Sequence, residues 1–536
     1  MIRPTARSID ERAMTVPHSS PYFFPHDEPL ALLTLAELRA LETRAAAALP
    51  PHTLMARAGA AAAQWLCDDT LKRNADARSQ PVWIVVGPGN NGGDALVMAE
   101  KLHRAGVPVT VCMPVEVKPD DARWALDRAR AAGVRIVSEA PASLDGLGWL
   151  VDGMFGIGLT RPLEGVFARI AALLTRRART SGRVLALDVP SGLNSDTGAP
   201  VAGGEAVRAT DTVTFIGAKP GHYTAQGRDL CGRLAVVTIG VEDASAPAVM
   251  LSAPTLFADH FPPRDNGANK GTFGTLAVVG GDTGMCGAPV LAARMALYGG
   301  AGKVNIAFLG EGFPPYDPPH PELMLHRADG FALDKMDALA IGCGMGKTDR
   351  AKQVVANALK LDVPKLLDAD ALNLVATDDA LASAVARRGA QDDPCIVTPH
   401  PLEAARLLQT DVKAVQADRL QAARQLAARY GAIAVLKGSG TVIAAPDGHI
   451  AINPTGNAGL ATGGTGDVLG GLIGAFLAQS LPAYEAALAG VWLHGRAAQN
   501  LSDDGDGPAG LTAGELAPRV RSLLNRHVYP RHERGL

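Results

Sequence analysis

Short apolar runs alternate with amphipathic stretches over most of the chain. In the first half the runs are VWIVV (82–86), VPVTVCM (107–113), WLVD (149–152), RVLALD (183–188), TVTFIG (212–217) and LAVVTIG (234–240). Near-continuous apolar runs fit strands covered on both faces, and their alternation with helical pattern predicts βαβ units and a mostly parallel sheet. The rhythm lapses from about Glu242 to Pro263, where Ala, Ser and Pro mix as in a linker. It restarts at TLAVVGG (275–281) and runs through VNIAF (304–308), ALAIG (338–342), KLLDAD (365–370), CIVTPH (395–400), AIAVLKG (432–438), TVIAAP (441–446) and HIAIN (449–453). Helices are predicted from Thr34, an N-cap with Glu37 three residues on, across Met55 to Leu66, over Ala414–Tyr430 and over Ala483–Gln499. Residues 1–30 have no period and read as a loose tail.

Composition narrows the function. A chain of 536 residues exceeds what one core of roughly 250–300 residues can serve, so two α/β domains are expected. With Lys+Arg 51 against Asp+Glu 54 there is no basic excess for a phosphate backbone, and aromatics at 4% leave few stacking platforms, so no nucleic-acid partner is expected. The six cysteines are scattered without a CxxC, which fits reduced thiols. The longest apolar stretch, Val468–Leu477, is too short to span a bilayer. A cytoplasmic protein without a membrane partner is expected.

The candidate chemistry lies in loops after the strands. Gly87-Pro-Gly-Asn-Asn-Gly92 sits where a dinucleotide-binding loop would, but the next strand ends in Cys-Met-Pro with no acid until Glu116, which disfavours a conventional NAD dehydrogenase. Its backbone amides still offer an anion site, with Asn90, Asn91 and Asp94 beside them. Gly342-Cys-Gly-Met-Gly-Lys347 ends like a Walker A loop, yet Ile341 stands where the first glycine belongs. It reads as a phosphate-approaching turn. Gly463-Gly-Thr-Gly-Asp467 opens an apolar helix, and Asp467 either stabilises that helix start by about 0.5–2 kcal/mol or acts as a general base beside a phosphoryl group. The neighbouring Lys437-Gly-Ser-Gly-Thr441 turn favours the base.

Asp152 and Asp188 each end an apolar strand and enter a glycine-bearing loop. A lone aspartate there is more often an Asx turn, but two on one sheet edge favour a site. His400, between two prolines, either contacts a ligand or caps a helix. No HExxH or paired histidines occur, which disfavours zinc, whereas oxygen ligands permit potassium in the first half and magnesium with a nucleotide in the second.

These loops, in this order, resemble the bifunctional NAD(P)H-hydrate repair enzymes, an epimerase domain fused to an ADP-dependent dehydratase domain of ribokinase-like fold. In the first half the resemblance rests on LMARAG (54–59), Asn90 to Asp94, Asp152 to Arg161 and Leu187 to Gly192. In the second half it rests on Lys270 to Gly274, Gly287-Ala288, Leu367 to Asn373, Thr398 to Glu403, Lys437 to Thr441, Asn457 and Gly464 to Asp467. Ala56, Asn269 and Cys343 depart from the family pattern.

The resemblance implies two three-layer αβα domains, the first Rossmann-like. It implies a tail over 1–30, an epimerase domain over 31–243, a linker over 244–262 and a dehydratase domain over 263–536. The epimerase substrate would meet Asn90, Asn91, Gly92, Gly93, Asp94, Gly156, Ile157, Gly158, Leu159, Thr160, Arg161, Pro162 and Asp188. Potassium would be held by Asn91, Asp152 and Ser191. The dehydratase substrate would meet Ala288, Gly346, His400 and Asp467, and the nucleotide would meet Lys437, Gly438, Ser439, Gly440, Thr441 and Gly466. Asp188 and Asp467 would be catalytic, ADP would arrive with Mg2+, and the chain would form a homo-oligomer. The small-molecule partners would be the hydrates of NADH and NADPH (NADHX and NADPHX) and ADP. Two alternatives stand beside this reading: a ribokinase-like small-molecule kinase with a binding-only first domain, and a non-catalytic nucleotide sensor.

Overall fold

The computed structural model describes residues 22–24, 27–73, 80–141, 143–144, 146–180, 182–241, 247–391, 393 and 395–529. Most of the expected tail over 1–30 lies outside the described residues. Its described part is engaged: Phe23 bridges Val236, and Asp27 pairs with Arg496.

The first nine strands are β1 (Leu30–Ala31), β2 (Val82–Val86), β3 (Val109–Cys112), β4 (Arg135–Val137), β5 (Trp149–Gly153), β6 (Arg183–Leu187), β7 (Asp211–Phe215), β8 (Arg233–Val237) and β9 (Met250–Leu251). Seven of them form one parallel sheet in the order β4-β3-β2-β5-β6-β7-β8. Every residue of β2, β5 and β7 is buried; β2 is accordingly apolar throughout, whereas β7 buries Asp211, Thr212 and Thr214 and β5 buries Asp152. The strand order turns back between β2 and β5, so the loops leaving these two strands diverge and open a crevice.

The remaining strands are β10 (Thr275–Gly280), β11 (Lys303–Phe308), β12 (Met324–Arg327), β13 (Ala338–Ile341), β14 (Lys365–Leu367), β15 (Ile396–Val397), β16 (Ile433–Leu436), β17 (Val442–Ala444) and β18 (Ile450–Ile452). They make a second sheet in the order β1-β9-β18-β17-β16-β15-β14-β13-β10-β11-β12. It is parallel from β12 to β16, and β16, β17 and β18 run antiparallel in turn. Its order turns back between β10 and β13, giving a second crevice.

The helices follow the apolar periods with one difference. Thr34 and Glu37 form a reciprocal capping box on Leu35–Ala48. The single helix expected over Ala414–Tyr430 is two, Val412–Ala417 and Arg419–Tyr430. The Asp418 side chain accepts from the Gln421 amide and restarts the helix, as a short carboxylate competing for local backbone donors does. The glycine-rich Thr465–Ala478 helix is buried over nearly its whole length. A Cβ on Gly471 would lie 2.0 Å from the Ala292 carbonyl oxygen, so only glycine admits this close packing on helix Gly287–Tyr298.

The halves meet through an apolar seam. Leu32 donates its amide to Val249 and Leu33 donates to Ala218. Leu32, Ala218 and Val236 are buried in the same apolar cluster as Val249, Leu251 and Ile452. Within the stretch expected as a linker, β9 pairs with β1 and β18 and extends the second sheet.

Candidate active sites

Residues from the loops after β2, β5 and β6, among them Asn91, Gly156 and Asp188, lie together at the first crevice. Asp188 leaves β6 with φ +66°, a conformation a non-glycine residue holds only when its surroundings over-determine it. Its Oδ1 receives the Lys219 ammonium at 2.5 Å and the Thr214 hydroxyl at 3.1 Å. Lys219 is fully buried and also donates to Thr214 Oγ1 and the Phe215 carbonyl. His222 Nδ1 accepts from the Lys219 amide, which leaves Nε2 to donate to the Asp188 carbonyl. Burial alone would raise the Asp188 carboxyl, but Lys219, His222 and Thr214 together hold it below its ordinary range. Its Oδ2 lies 3.4 Å from where a side chain on Gly156 would begin, so this oxygen faces the Gly156–Pro162 loop.

Asp94 behaves in the opposite way. Burial first, then the charges of Asp188, Glu42 and Asp121, push its carboxyl well above the usual range. Two aspartates whose affinities for a proton are driven apart can serve as an acid and base pair. Burial and then Asp188 likewise raise Glu42, which reaches this site from helix Leu35–Ala48.

Asp152 is fully buried and accepts from the Ser191 amide, the Ser191 hydroxyl and the Met154 amide at 2.8, 2.6 and 3.2 Å. The bond to Met154 is the Asx turn of the plainer reading. Burial pushes the Asp152 carboxyl up to about 6. Asn91 is buried beside Gly156, and neither atom of its side-chain amide has a hydrogen-bond partner among the described residues. Asn90, Gly158, Thr160 and Arg161 are exposed, Ile157, Leu159 and Pro162 are partly buried, and Gly92 and Gly93 are buried in the first turn of helix Asn90–Arg104.

The second crevice gathers the remaining expected residues around Asp368. The Lys437 ammonium is 2.8 Å from Asp368 Oδ1, and a Cβ on Gly466 would lie 3.5 Å from Lys437 Nζ. Burial opposes the charge on Lys437, but Asp368, Glu403 and Asp467 hold it above its ordinary range. Asp467 stands in the first turn of Thr465–Ala478, where Gly464 is the N-cap and no side chain caps the helix. Burial and then Asp368 push the Asp467 carboxyl up to about 6, a value suited to a base near neutral pH.

His400 does cap helix Pro401–Leu408, its Nδ1 accepting from the Leu402 amide. Burial first and then Lys437 keep it below its ordinary range. Glu403, pushed up to about 7 chiefly by burial, closes the capping box. Gly346 donates its amide to Asp370 at 3.0 Å, and Gly344 of the same turn sits against Ala288. Of the nucleotide turn, Gly438 and Ser439 are exposed, Gly440 is buried and the Thr441 hydroxyl donates to the Gly438 carbonyl. Lys347 is exposed, and Thr348 caps the next helix.

Lys219, Thr214, His222 and Glu42 were not among the residues expected from sequence, nor was the Lys437–Asp368 pairing. A usable signal existed for Lys219, since it follows β7 on the same sheet edge as Asp152 and Asp188. Among the described residues no three His, Cys, Asp or Glu side chains gather as a metal-holding group, and no helix is long and apolar enough to cross a membrane.

Comparison with known proteins covers both domains. Residues 51–221 match the family described as YjeF-related protein N-terminus, and residues 276–517 match NAD(P)H-hydrate dehydratase. The chain is 38% identical to the bifunctional NAD(P)H-hydrate repair enzyme of Coxiella burnetii over 501 residues, covering 91% of this chain and 98% of that one. It is 36% identical to the enzyme of the same name from Escherichia coli, covering 89% and 90%. Its second half is 49% identical to the ADP-dependent (S)-NAD(P)H-hydrate dehydratase of Neisseria meningitidis, covering 52% of this chain and 94% of that one. Similarity carried through both domains, and over nearly the full length of these relatives, means that the chain belongs to the bifunctional NAD(P)H-hydrate repair enzymes.

Proposed function

We propose that this chain repairs hydrated NADH and NADPH, interconverting the R and S epimers at nicotinamide C6 in the first domain, over 31–243, and dehydrating the S epimer with ADP in the second, over 263–536. The observation that carries the reading is the pair of divergent sheet-edge crevices, each holding an aspartate with a displaced carboxyl affinity.

In the first domain the C6 hydroxyl sits beside the ring nitrogen, so epimerisation needs a proton removed from that hydroxyl and one delivered to N1. The C6–N1 bond opens to an aldehyde, rotation presents its other face, and closure returns both protons. Asp188, whose carboxyl is held low, supplies the base, and Asp94, whose carboxyl is held high, supplies the acid. Asn90 to Asp94 and Gly156 to Pro162 would line the nicotinamide. Potassium fits the buried amide oxygen of Asn91 with Asp152 and Ser191, because Asn91 has no other buried partner among the described residues. A cation there supplies positive charge that offsets the Asp152 carboxylate and fixes the loop after β5.

In the second domain hydroxide is a poor leaving group. The C6 oxygen takes the terminal phosphoryl group of ADP while Asp467 accepts its proton, and AMP departs. Loss of phosphate with a C5 proton then restores the C5–C6 double bond. The amides of Gly466 and Asp467, in the first turn of the helix, favour the phosphoryl group. Ala288, Gly346 and His400 would contact the substrate, and Lys437 to Thr441 with Gly466 the nucleotide. Mg2+ bound with ADP supplies charge to its phosphates. The reading extends to a cytoplasmic location and to self-assembly into a homo-oligomer.

The test is incubation of the purified chain with separated R and S hydrates and ADP, following reduced-nicotinamide absorbance and AMP. Stoichiometric NADH and AMP from both epimers is expected. A stable phosphorylated product would overturn the dehydratase reading, and consumption of S alone would overturn the epimerase.

A further inference from the structure

The nucleotide turn of the second domain is held from below by the first. The Ala225 amide donates to the Ser439 carbonyl at 3.1 Å, and the fully buried Thr224 hydroxyl donates to the Gly440 carbonyl at 3.1 Å. Tyr223 approaches so closely that a Cβ on Gly440 would lie 1.8 Å from its carbonyl oxygen. Thr224 Oγ1 also accepts from Arg419 Nε at 3.2 Å.

Arg419 completes the cradle from the second domain. Its guanidinium is buried and donates to the Leu436 and Lys437 carbonyls at 3.0 and 3.2 Å and to Gln416 at 2.9 Å. One terminal nitrogen lies 3.0 Å from where a side chain on Gly438 would begin. None of its hydrogen-bond partners among the described residues is a carboxylate, so its charge stands uncancelled beneath the turn. In a poorly solvated place such a charge acts over a longer range than it would in water. Beside it, Arg228 of the first domain donates to the carbonyls of Pro454, Thr455 and Gly456.

Surface complementarity alone would not need this arrangement. Among the described residues Thr224 is the one side chain that joins the first domain both to the turn carbonyl and to the cation under the turn, so its hydroxyl fixes their relative position. We propose that Thr224 is a positioning residue for the dehydratase reaction, through which the first domain sets the affinity of the Lys437–Thr441 turn for the diphosphate of ADP. The inference rests on reading that turn as the nucleotide site.

The experiment uses the full-length chain and measures dehydration of the S hydrate of NADH at varied ADP, with equilibrium ADP binding by calorimetry. Thr224→Val keeps the shape and removes the hydroxyl. KM and Kd for ADP should rise on the order of tenfold, the size of an ordinary coupling between sites, while kcat stays within about twofold of the unsubstituted chain. Thr224→Ser should restore the affinity. Unchanged ADP affinity in Thr224→Val, a fall in kcat with KM intact, or failure of serine to restore would each overturn the proposal.

Hydrogen exchange on the unsubstituted chain decides the matter even if Thr224→Val does not fold. Saturating ADP should slow exchange at the Ala225 amide, and an unaltered rate would overturn the coupling. Lys437→Met separates the two readings. If ADP binding survives it, the turn is not the nucleotide site and the proposal falls with that reading; if binding is lost there while Thr224→Val is silent, only the positioning role fails.

Discussion

The Lys219 ammonium lies 2.5 Å from Asp188 Oδ1, the two side chains coming from the ends of neighbouring parallel strands and meeting with Lys219 wholly enclosed. A buried cation with one carboxylate and two neutral oxygens around it has no freedom to turn elsewhere. The pairing keeps Asp188 ionised while its other oxygen stays turned to the crevice.

Asp188→Asn should slow interconversion of the R and S hydrates by about 10² or more, as loss of a positioned acid or base does. Dehydration of the S epimer should continue. Chiral separation of the hydrates over time measures the first, and AMP release the second.

Lys219→Met should shift the pH profile of epimerisation. Lys219 holds the Asp188 carboxyl low against the raising effect of burial, so without it the carboxyl ionises at higher pH. The acid limb of kcat/KM therefore moves upward. Removing one partner of a buried pair should also cost about 3–5 kcal/mol, read by denaturant unfolding.

Asp467→Asn should lower kcat for dehydration by about 10² or more while ADP and AMP still bind. The thermal midpoint should change little, because no Asp467 side-chain bond caps the helix. In the unsubstituted enzyme a base raised to about 6 works only when ionised. The dehydration rate should therefore fall as pH drops through about 6, and that limb should vanish in the asparagine variant.

Potassium should raise the thermal midpoint near neutral pH and do so less in acid. Asp152 holds its proton more tightly folded than unfolded, with a carboxyl near 6 against the ordinary 3.8. Without a cation this group costs stability as pH rises through that window. A cation bound only by the folded chain offsets the loss by ~1.4 kcal/mol at ten times its Kd. Asn91→Ala should abolish the increment, measured by melting in potassium against choline.

The strands legible in the sequence were those buried on both faces, such as β2 and β10, because their residues are apolar throughout in β2 and from Leu276 to Val279 in β10. Strand β4 carries an exposed arginine and β12 is exposed or half-exposed throughout, so neither shows a run. The two-residue β1 and β9 pair with each other from remote parts of the chain and carry no local pattern. Asp152, Asp188 and Asp467 stood out because glycines flank them. Lys219 did not, since its pairing is made by sheet order and not by spacing, and Glu42 reads in sequence as an exposed residue of a surface helix.

Strand β1 lies at the edge of a sheet whose other members, β9 through β18, come from residues 250–452. On a ribosome the chain emerges at roughly 5–20 residues per second. The first sheet can close as soon as β8 appears, but Leu30 and Ala31 have no finished edge to join until Ile450–Ile452 follows. For on the order of 10–40 s the already folded first domain carries an open strand and an uncovered apolar seam at Leu32, Ala218 and Val236. During synthesis Leu30 and Ala31 thus wait for a distant part of the chain, and this interval is when a chaperone or a second nascent chain would find them.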